Sequence, residues 1–265
     1  MPESANETAN AEIGVEKHEH VTLVEIRRPP HNFFDLDLVR GLADIFEKLD
    51  ADHDCRAIVL AAQGTAFCAG ANFASRRAPV AADTPDATNP LYYEAIRLFA
   101  CAKPVVAAVH GAAVGGGLGL ALVADFRVSC SEARYSANFN RLGFHPGFGL
   151  TVTLPRLIGQ QNASMLMFTG RRINGVQALA MGLVDALVAQ SEVREEALRL
   201  AEEIAVSAPL AVQSTRATLR GNLLDQIRAA VTHESREQRK HYATEDFKEG
   251  IKAMAERRPP QFQGR

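Results

Sequence analysis

Two small-residue stretches and one histidine turn are the places in this 265-residue sequence where chemistry could be built. The first is Gly111-Ala-Ala-Val-Gly115-Gly116-Gly117-Leu-Gly119, which follows a short apolar run at 104–109. It meets neither nucleotide-binding pattern. Leu120 stands where the last glycine of G-x-G-x-x-G would fall after Gly115 and Gly117, and no G-x-x-x-x-G-K-[ST] occurs. The spacing instead offers a tight strand-to-helix turn, with the Gly115 and Gly116 amides at a helix N-terminus. Unpaired N–H groups and the positive end of the dipole favour negative charge there. A plain crossing between two elements would have the same composition. The second stretch, Phe67-Cys68-Ala69-Gly70-Ala71-Asn72-Phe73, follows an apolar run at 56–62, and its small residues let backbone amides approach a ligand. Two such loops at the ends of neighbouring strands supply convergent donors, the outline of an oxyanion hole.

Few side chains could move a proton beside those amides. His145, in the 143–147 turn Gly-Phe-His-Pro-Gly, has the residue type whose ordinary pKa of about 6.5 suits acid/base work. The alternative is a histidine that only packs or caps its turn. Asn138 and Asn140 lie just upstream. Glu94 stands three residues before Arg97 on a helical pattern and reads as its ion-pair partner. His110, just before the glycine turn, reads as structural, and Cys68 has no activating neighbour. His18 and His20 read as surface histidines rather than a metal pair, so no metal site is expected.

The elements that would position these residues follow from pattern. Residues 21–26 are β-branched and end at Arg27-Arg28-Pro29-Pro30, a strand stopped by prolines. Leu38, Leu42, Ile45, Phe46 and Leu49 recur at helical spacing behind Asp35 and Asp37. Residues 56–62 form a strand buried on both faces, 91–102 a helix and 104–109 another strand, so strand and helix alternate as in an α/β fold. Short strands are predicted at 126–129 and 135–137, with two helical patterns across 150–181 around Gly159 and Gly170. Beyond Ser191 the patterns are helical (192–206, 210–220, 225–233 and 245–257), and the charge-dense 233–241 reads as a solvated helix face. The expected organisation is a flexible polar leader at 1–16, an α/β core at 17–190 and a helical region at 191–265.

Composition narrows the function classes. A 47% hydrophobic, 23% charged chain is globular, and a net charge of −2 gives no field to hold a polyanion, so nucleic acid is not an expected partner. Residues 105–124 have the length of a membrane span, but five glycines among mostly alanines argue for a buried strand, turn and helix, and no membrane partner is expected. The start of the chain lacks the charged and apolar regions of a secretory signal, and four well-separated cysteines fit reduced thiols, so the expected compartment is cytoplasmic.

The sequence resembles the crotonase (enoyl-CoA hydratase/isomerase) superfamily over nearly its whole length. The resemblance is carried by Arg28-Pro29 with Asn32, Ala-Phe-Cys-Ala-Gly-Ala-Asn72, His110-Gly111 with the triple glycine, and Pro146-Gly147. It continues through Leu154-Pro155-Arg156-Leu157-Ile158-Gly159, Thr169-Gly170-Arg171, Gly182-Leu183-Val184, 245–250 and 258–265. It implies a spiral of stacked ββα units with a helical C-terminal trimerisation region, a homotrimer or homohexamer, and acyl-CoA thioesters as substrates. Coenzyme A would enter as part of the substrate, with no tightly bound cofactor. By position the oxyanion amides would be Ala71 and Gly116, possibilities for proton transfer centring on His145. Asn32, Ala69, Asn72, Phe73, Gly115, Gly119, Asn138, Phe139 and Gly147 would form the substrate site, Arg27, Arg28, Arg76 and Arg77 would lie beside the nucleotide, and 76–89 would shape the acyl pocket. The two glutamates of family hydratases are replaced by Gly119 and Phe139, and the aspartate of related isomerases and dehalogenases by Pro146 and Gly147. The resemblance therefore implies an acyl-CoA enzyme that is not an efficient hydratase. Isomerisation, thioester hydrolysis, decarboxylation and a non-catalytic acyl-CoA-binding subunit stand as alternatives.

Overall fold

The computed structural model describes residues 12–73 and 88–265, and the described chain opens on a hairpin. Strands β1 (Ile13–His18) and β2 (Val21–Ile26) pair antiparallel, Ile13 opposite Ile26. The leader expected at 1–16 is thus corrected at its end: Ile13 and Gly14 are buried, while Val15, Glu16 and Lys17 face outward. An edge strand with one solvated face carries the same charges as a polar leader, so composition does not separate them.

Helix α1 (Leu36–Ala51) starts where the Asp35 carboxylate accepts the Leu38 N–H, and Leu38, Leu42, Phe46 and Leu49 lie on its buried stripe. Then come β3 (Ala57–Ala62), β4 (Ala66–Cys68), α2 (Pro90–Ala100), β5 (Val105–Val109), β6 (Ala112–Val114) and α3 (Gly116–Ala121). They are followed by β7 (Phe126–Ser129), β8 (Arg134–Ser136), a 3₁₀ turn at Asn138–Leu142, α4 (Leu150–Thr169), β9 (Ile173–Asn174), α5 (Gly175–Ala180) and β10 (Ala186–Leu187). Three times a strand of one sheet is followed by a short strand of a second sheet and then a helix: β3-β4-α2, β5-β6-α3 and β7-β8-α4. This is the mixed α/β spiral that the resemblance implies.

The first sheet runs β1-β2-β3-β5-β7-β10 and is parallel beyond its hairpin. The second runs β4-β6-β8-β9, parallel except for β8 with β9. The span-like segment 105–124 contributes β5, β6 and α3, and among the described residues no helix is long and apolar enough to cross a membrane.

The remaining helices are α6 (Val193–Ala205), α7 (Pro209–Arg220), α8 (Leu223–Tyr242) and α9 (Glu245–Ala255). The boundary expected after residue 190 is corrected, because α6 packs on β2, β3, β5 and β7 and belongs to the sheet layer. Its buried Val193, Ala197, Ala201 and Ala205 recur every four residues, a stripe of mainly small side chains that lets the helix lie close. By contrast α7 has no buried residue. It is tied down by Arg216 and Arg220, which both reach Asp125 and also donate to the Cys101, Phe99 and Val123 carbonyls. The solvated face expected at 233–241 is also corrected: Glu234, Ser235 and Gln238 are buried, continuing the inward stripe of Ile227 and Val231.

Candidate functional site

In the second sheet β4 and β6 are neighbours, Ala66 opposite Ala112 and Cys68 opposite Ala113, so the loops leaving them emerge side by side. The first loop is pinned where the Phe34 N–H donates to the Gly70 carbonyl at 3.0 Å, and Phe34 and Ala71 form a single parallel bridge. The second is pinned where the Gly115 N–H donates to Ser136 O at 2.8 Å. Gly115 adopts φ +57°, ψ −123°, a conformation that a side chain would strain. A Cβ on Gly70 would stand 3.8 Å from the Gly116 nitrogen, which measures how close the loops come. Gly116 must itself lack a side chain, since a Cβ there would meet Phe34 Cζ at 2.2 Å. The Ala71 and Gly116 N–H groups have no backbone acceptor among the described residues.

Both residues line one cavity of about 800 Å³. Ala69, Asn72, Phe73, Gly115, Asn138 and Phe139 line it too. The rest of the lining is rich in aromatic rings. The Phe139 ring stands 5.4 Å from Phe144, Phe73 lies 5.6 Å from Phe144, and Phe34 lies 5.7 Å from Phe148.

Four expected site residues fall elsewhere. His145 does not line the cavity: its Nδ1 lies 2.8 Å from Pro146 O, and its ring meets His233 at 5.8 Å and His241 at 6.4 Å on α8. The ring turns toward α8, and the candidate proton carrier is corrected to a packing residue. Asn32 is buried behind the first loop. Its Nδ2 donates to Gln63 O and Ala66 O, and its Oδ1 accepts the Arg28 N–H, so its polar atoms hold the loop rather than a ligand. Gly147 backs onto α2, where a Cβ would overlap the Tyr92 hydroxyl at 1.9 Å. Gly119 lies behind the wall: a Cβ there would stand 2.7 Å from Phe148 Cδ1 and 2.8 Å from Phe148 Cβ.

The charged groups are already engaged. Arg28 lines the cavity but is bound to Glu12 and Asp35; burial alone would lower its pKa, and those two carboxylates hold it above its ordinary value. Arg27 pairs with Glu25 at 2.8 Å, and Glu94 pairs with Arg97 and Arg40. Arg76, Arg77 and most of the expected pocket-shaping segment lie outside the described residues. Burial pushes the Cys68 thiol up to about 12, which leaves it unionised, and all four cysteines are buried free thiols. His110 Nε2 lies 3.0 Å from Gly64 O, facing a separate cleft of about 480 Å³. His18 lies 3.2 Å from Glu16, and His20 meets Asp54 O. Among the described residues no group of three potential ligands could hold a metal ion.

Pattern reading missed the support of the turn at 145–151. Gln238 Oε1 accepts from the Tyr92 and Tyr242 hydroxyls at 2.9 and 3.1 Å, while its Nε2 donates to His145 O at 2.9 Å. The Glu234 carboxylate accepts from Gly149 N, Thr151 N and Thr151 Oγ1 at 2.8, 3.0 and 2.6 Å, occupying the N-terminus of α4. Burial pushes the Glu234 carboxyl upward against those hydrogen bonds. The available signal was the continuation of the Ile227 and Val231 stripe, at helical spacing, onto two polar residues.

Comparison with known proteins matches residues 16–265 to the family described as enoyl-CoA hydratase/isomerase. The crotonyl-CoA hydratase of Syntrophomonas wolfei is 33% identical over 253 residues, 94% of this chain and 97% of that one. The (E)-benzylidenesuccinyl-CoA hydratase of Thauera aromatica is 33% identical over 268 residues, covering 95% and 99%. The crystal structure of an enoyl-CoA hydratase/isomerase from Pseudoalteromonas atlantica superposes with a TM-score of 0.86 at 30% identity, covering 95% of this chain and all of the other.

Proposed function

Because the chain belongs to the enoyl-CoA hydratase/isomerase family, we propose that its aromatic cavity takes an acyl-CoA thioester, whose carbonyl is stabilised as an oxyanion or enolate by the Ala71 and Gly116 amides. One observation carries this reading: two amides without backbone acceptors, on loops in contact, border the same cavity. Backbone donors held by a sheet need no reorganisation as charge develops, which is where such donors act most strongly. Coenzyme A is part of the substrate, and no further cofactor is invoked. The four buried free thiols support a reducing, cytoplasmic setting.

The same reading makes the protein a slow hydratase. Adding water across a double bond needs a base for the water and an acid for the α-carbon, and positioned groups of this kind contribute roughly 10²- to 10⁴-fold. Gly119 and Phe139 offer neither, and the Phe148 ring occupies the space beside Gly119. The test is hydration of crotonyl-CoA beside a panel of acyl-CoA substrates followed by mass spectrometry. Slow hydration with a specific product elsewhere in the panel is the expected result. Hydration at the rate of a family member bearing both glutamates would refute the slow-hydratase reading, and saturable binding with no product would reduce the protein to an acyl-CoA-binding subunit. His145→Ala should leave every rate unchanged.

A homotrimer or homohexamer belongs to the same proposal. It is supported by Phe168, Leu210 and Leu219, which are 75%, 80% and 73% exposed in the single chain. Sedimentation at a threefold or sixfold multiple of 28.7 kDa is the expected outcome, and a monomer would contradict it.

A further inference from the structure

We propose, resting on the acyl-CoA reading above, that the Asn138 carboxamide is a third donor of the oxyanion site, hydrogen-bonding the thioester oxygen beside the Ala71 and Gly116 amides. The placement follows from register. The second sheet pairs β6 with β8 in parallel, Ala112 opposite Arg134 and Val114 opposite Ser136. The pairing carries past the strand ends, where the Gly115 N–H donates to Ser136 O at 2.8 Å. Two residues on from the last pair stand Gly116 on one segment and Asn138 on the other. Three neighbouring strands, β4, β6 and β8, thus deliver Ala71, Gly116 and Asn138 to the same end of the sheet, and all three residues line the one cavity.

The Asn138 side chain reaches back over the glycine loop. Its Oδ1 stands 3.4 Å from where a Gly115 Cβ would be, which puts the carboxamide one residue from the Gly116 donor. Other polar groups around the cavity are committed to the protein. Arg28 binds Glu12 and Asp35, Asp37 pairs with Arg40, Asn89 Oδ1 accepts the Leu91 N–H, and the Tyr92 and Tyr242 hydroxyls donate to Gln238. Asn138 is half-buried at the start of its 3₁₀ turn, and among the described residues its carboxamide has no hydrogen-bond partner. A partly desolvated amide in that state is satisfied by a ligand oxygen. With no partner to fix its orientation, the group can present Nδ2, a donor of the kind that side-chain amides supply to oxyanion sites. It moves no proton, so it adds to carbonyl polarisation without restoring the acid and base that hydration needs.

The test is isotope-edited infrared spectroscopy of bound butyryl-CoA carrying carbon-13 at the thioester carbonyl, beside calorimetry of butyryl-CoA and of CoA alone. Hydrogen bonds to the oxygen lower the carbonyl stretching frequency, so wild type is expected to show a downshift relative to the free ligand. Asn138→Leu, similar in size and without a donor, should lose part of that downshift and lower the turnover of a productive acyl-CoA about 10²-fold, with the affinity for CoA alone unchanged. Asn138→Asp, ionised at neutral pH, should lose more of the downshift and recover it as pH falls toward about 4, where the carboxyl becomes an O–H donor. A packing role would give no such pH dependence. Asn140→Ala, at an exposed residue that does not line the cavity, should change neither the downshift nor turnover. Near-ultraviolet circular dichroism identifies any variant that has lost its fold. A wild-type downshift that persists unchanged in folded Asn138→Leu, or an Asn138→Asp protein that matches wild type at neutral pH, overturns the proposal while leaving the acyl-CoA reading intact. Butyryl-CoA bound no better than CoA alone, or bound with no downshift, removes the oxyanion reading and this proposal with it.

Discussion

Two parts of the cavity lining, a main-chain wall and a side-chain wall, are built under different rules. The wall at Ala71 and Gly116 is main chain, and its geometry follows from where β4 and β6 end in the second sheet. The other part is side chain: Phe34, Phe139 and Phe148, the last on a turn gripped by α8. Backbone donors survive any substitution that keeps the strands and the small residues between them. Side-chain chemistry can be replaced one residue at a time. Under the proposed function, the contrast would let a chain keep the means to polarise a carbonyl without carboxylates to hydrate the double bond beside it.

Breaking the main-chain wall should have the largest effect. In Gly116→Ala the new Cβ would collide with Phe34 Cζ, so either the ring or the amide must move. Turnover of whichever acyl-CoA proves productive should fall about 10²- to 10³-fold, as for the loss of one oxyanion donor, with the affinity for CoA alone little changed. Steady-state kinetics beside CoA calorimetry checks this, and equal loss in both would locate the damage in folding instead. Breaking the support of the side-chain wall should cost stability. Glu234→Gln leaves one amide or hydroxyl donor at the start of α4 without its acceptor, and about 1–3 kcal/mol should be lost in chemical denaturation at unchanged m-value.

The smallest effect sharpens the contrast by acting far from both walls. Hydrogen bonds from Arg258 and the Gln261 amide hold the Glu249 carboxyl at about 2, down from its ordinary 4.5. The folded pKa is depressed, so the contribution is fully present above the ordinary carboxylate value and is lost as pH falls through about 2. The difference in Tm between wild type and Glu249→Gln should therefore shrink progressively on acidification through that window, and a difference independent of pH would refute the assignment.

Much of the main-chain wall was legible in the sequence, because it depends on residue size: glycine and alanine after short apolar runs announce close backbone approach. The capped helix α1 was legible for a similar reason, with Asp35 standing just before a regular apolar stripe. What escaped was whatever depends on direction. A three-residue strand such as β6 has too few residues to display a period of two, so in the sequence it reads as part of a glycine turn. His145 has the chemistry of a proton carrier and faces α8, and Asn32 has the chemistry of a ligand and faces its own loop. Charge on 233–241 read as solvation because buried Glu234 and Gln238 sit among exposed neighbours, and only the partners at Gly149, Thr151 and Tyr92 reveal which way they turn.

The attachment of α7 through Asp125 carries a consequence for the order of assembly. Its two arginines reach acceptors contributed by the end of α2, the residue after it, the segment following α3 and Asp125 just before β7. None of these is near α7 in sequence, and they come together only when the successive ββα turns have stacked. With no buried side chain of its own to drive earlier collapse, α7 has no place to settle on a half-wound core. The exposed Leu210 and Leu219 that it carries are therefore presented in a fixed arrangement only by a finished protomer. In the proposed homotrimer or homohexamer, a surface organised last would leave an incomplete chain without a shaped face for its siblings, so the double arginine tie would act as a checkpoint on association as well as a fastening.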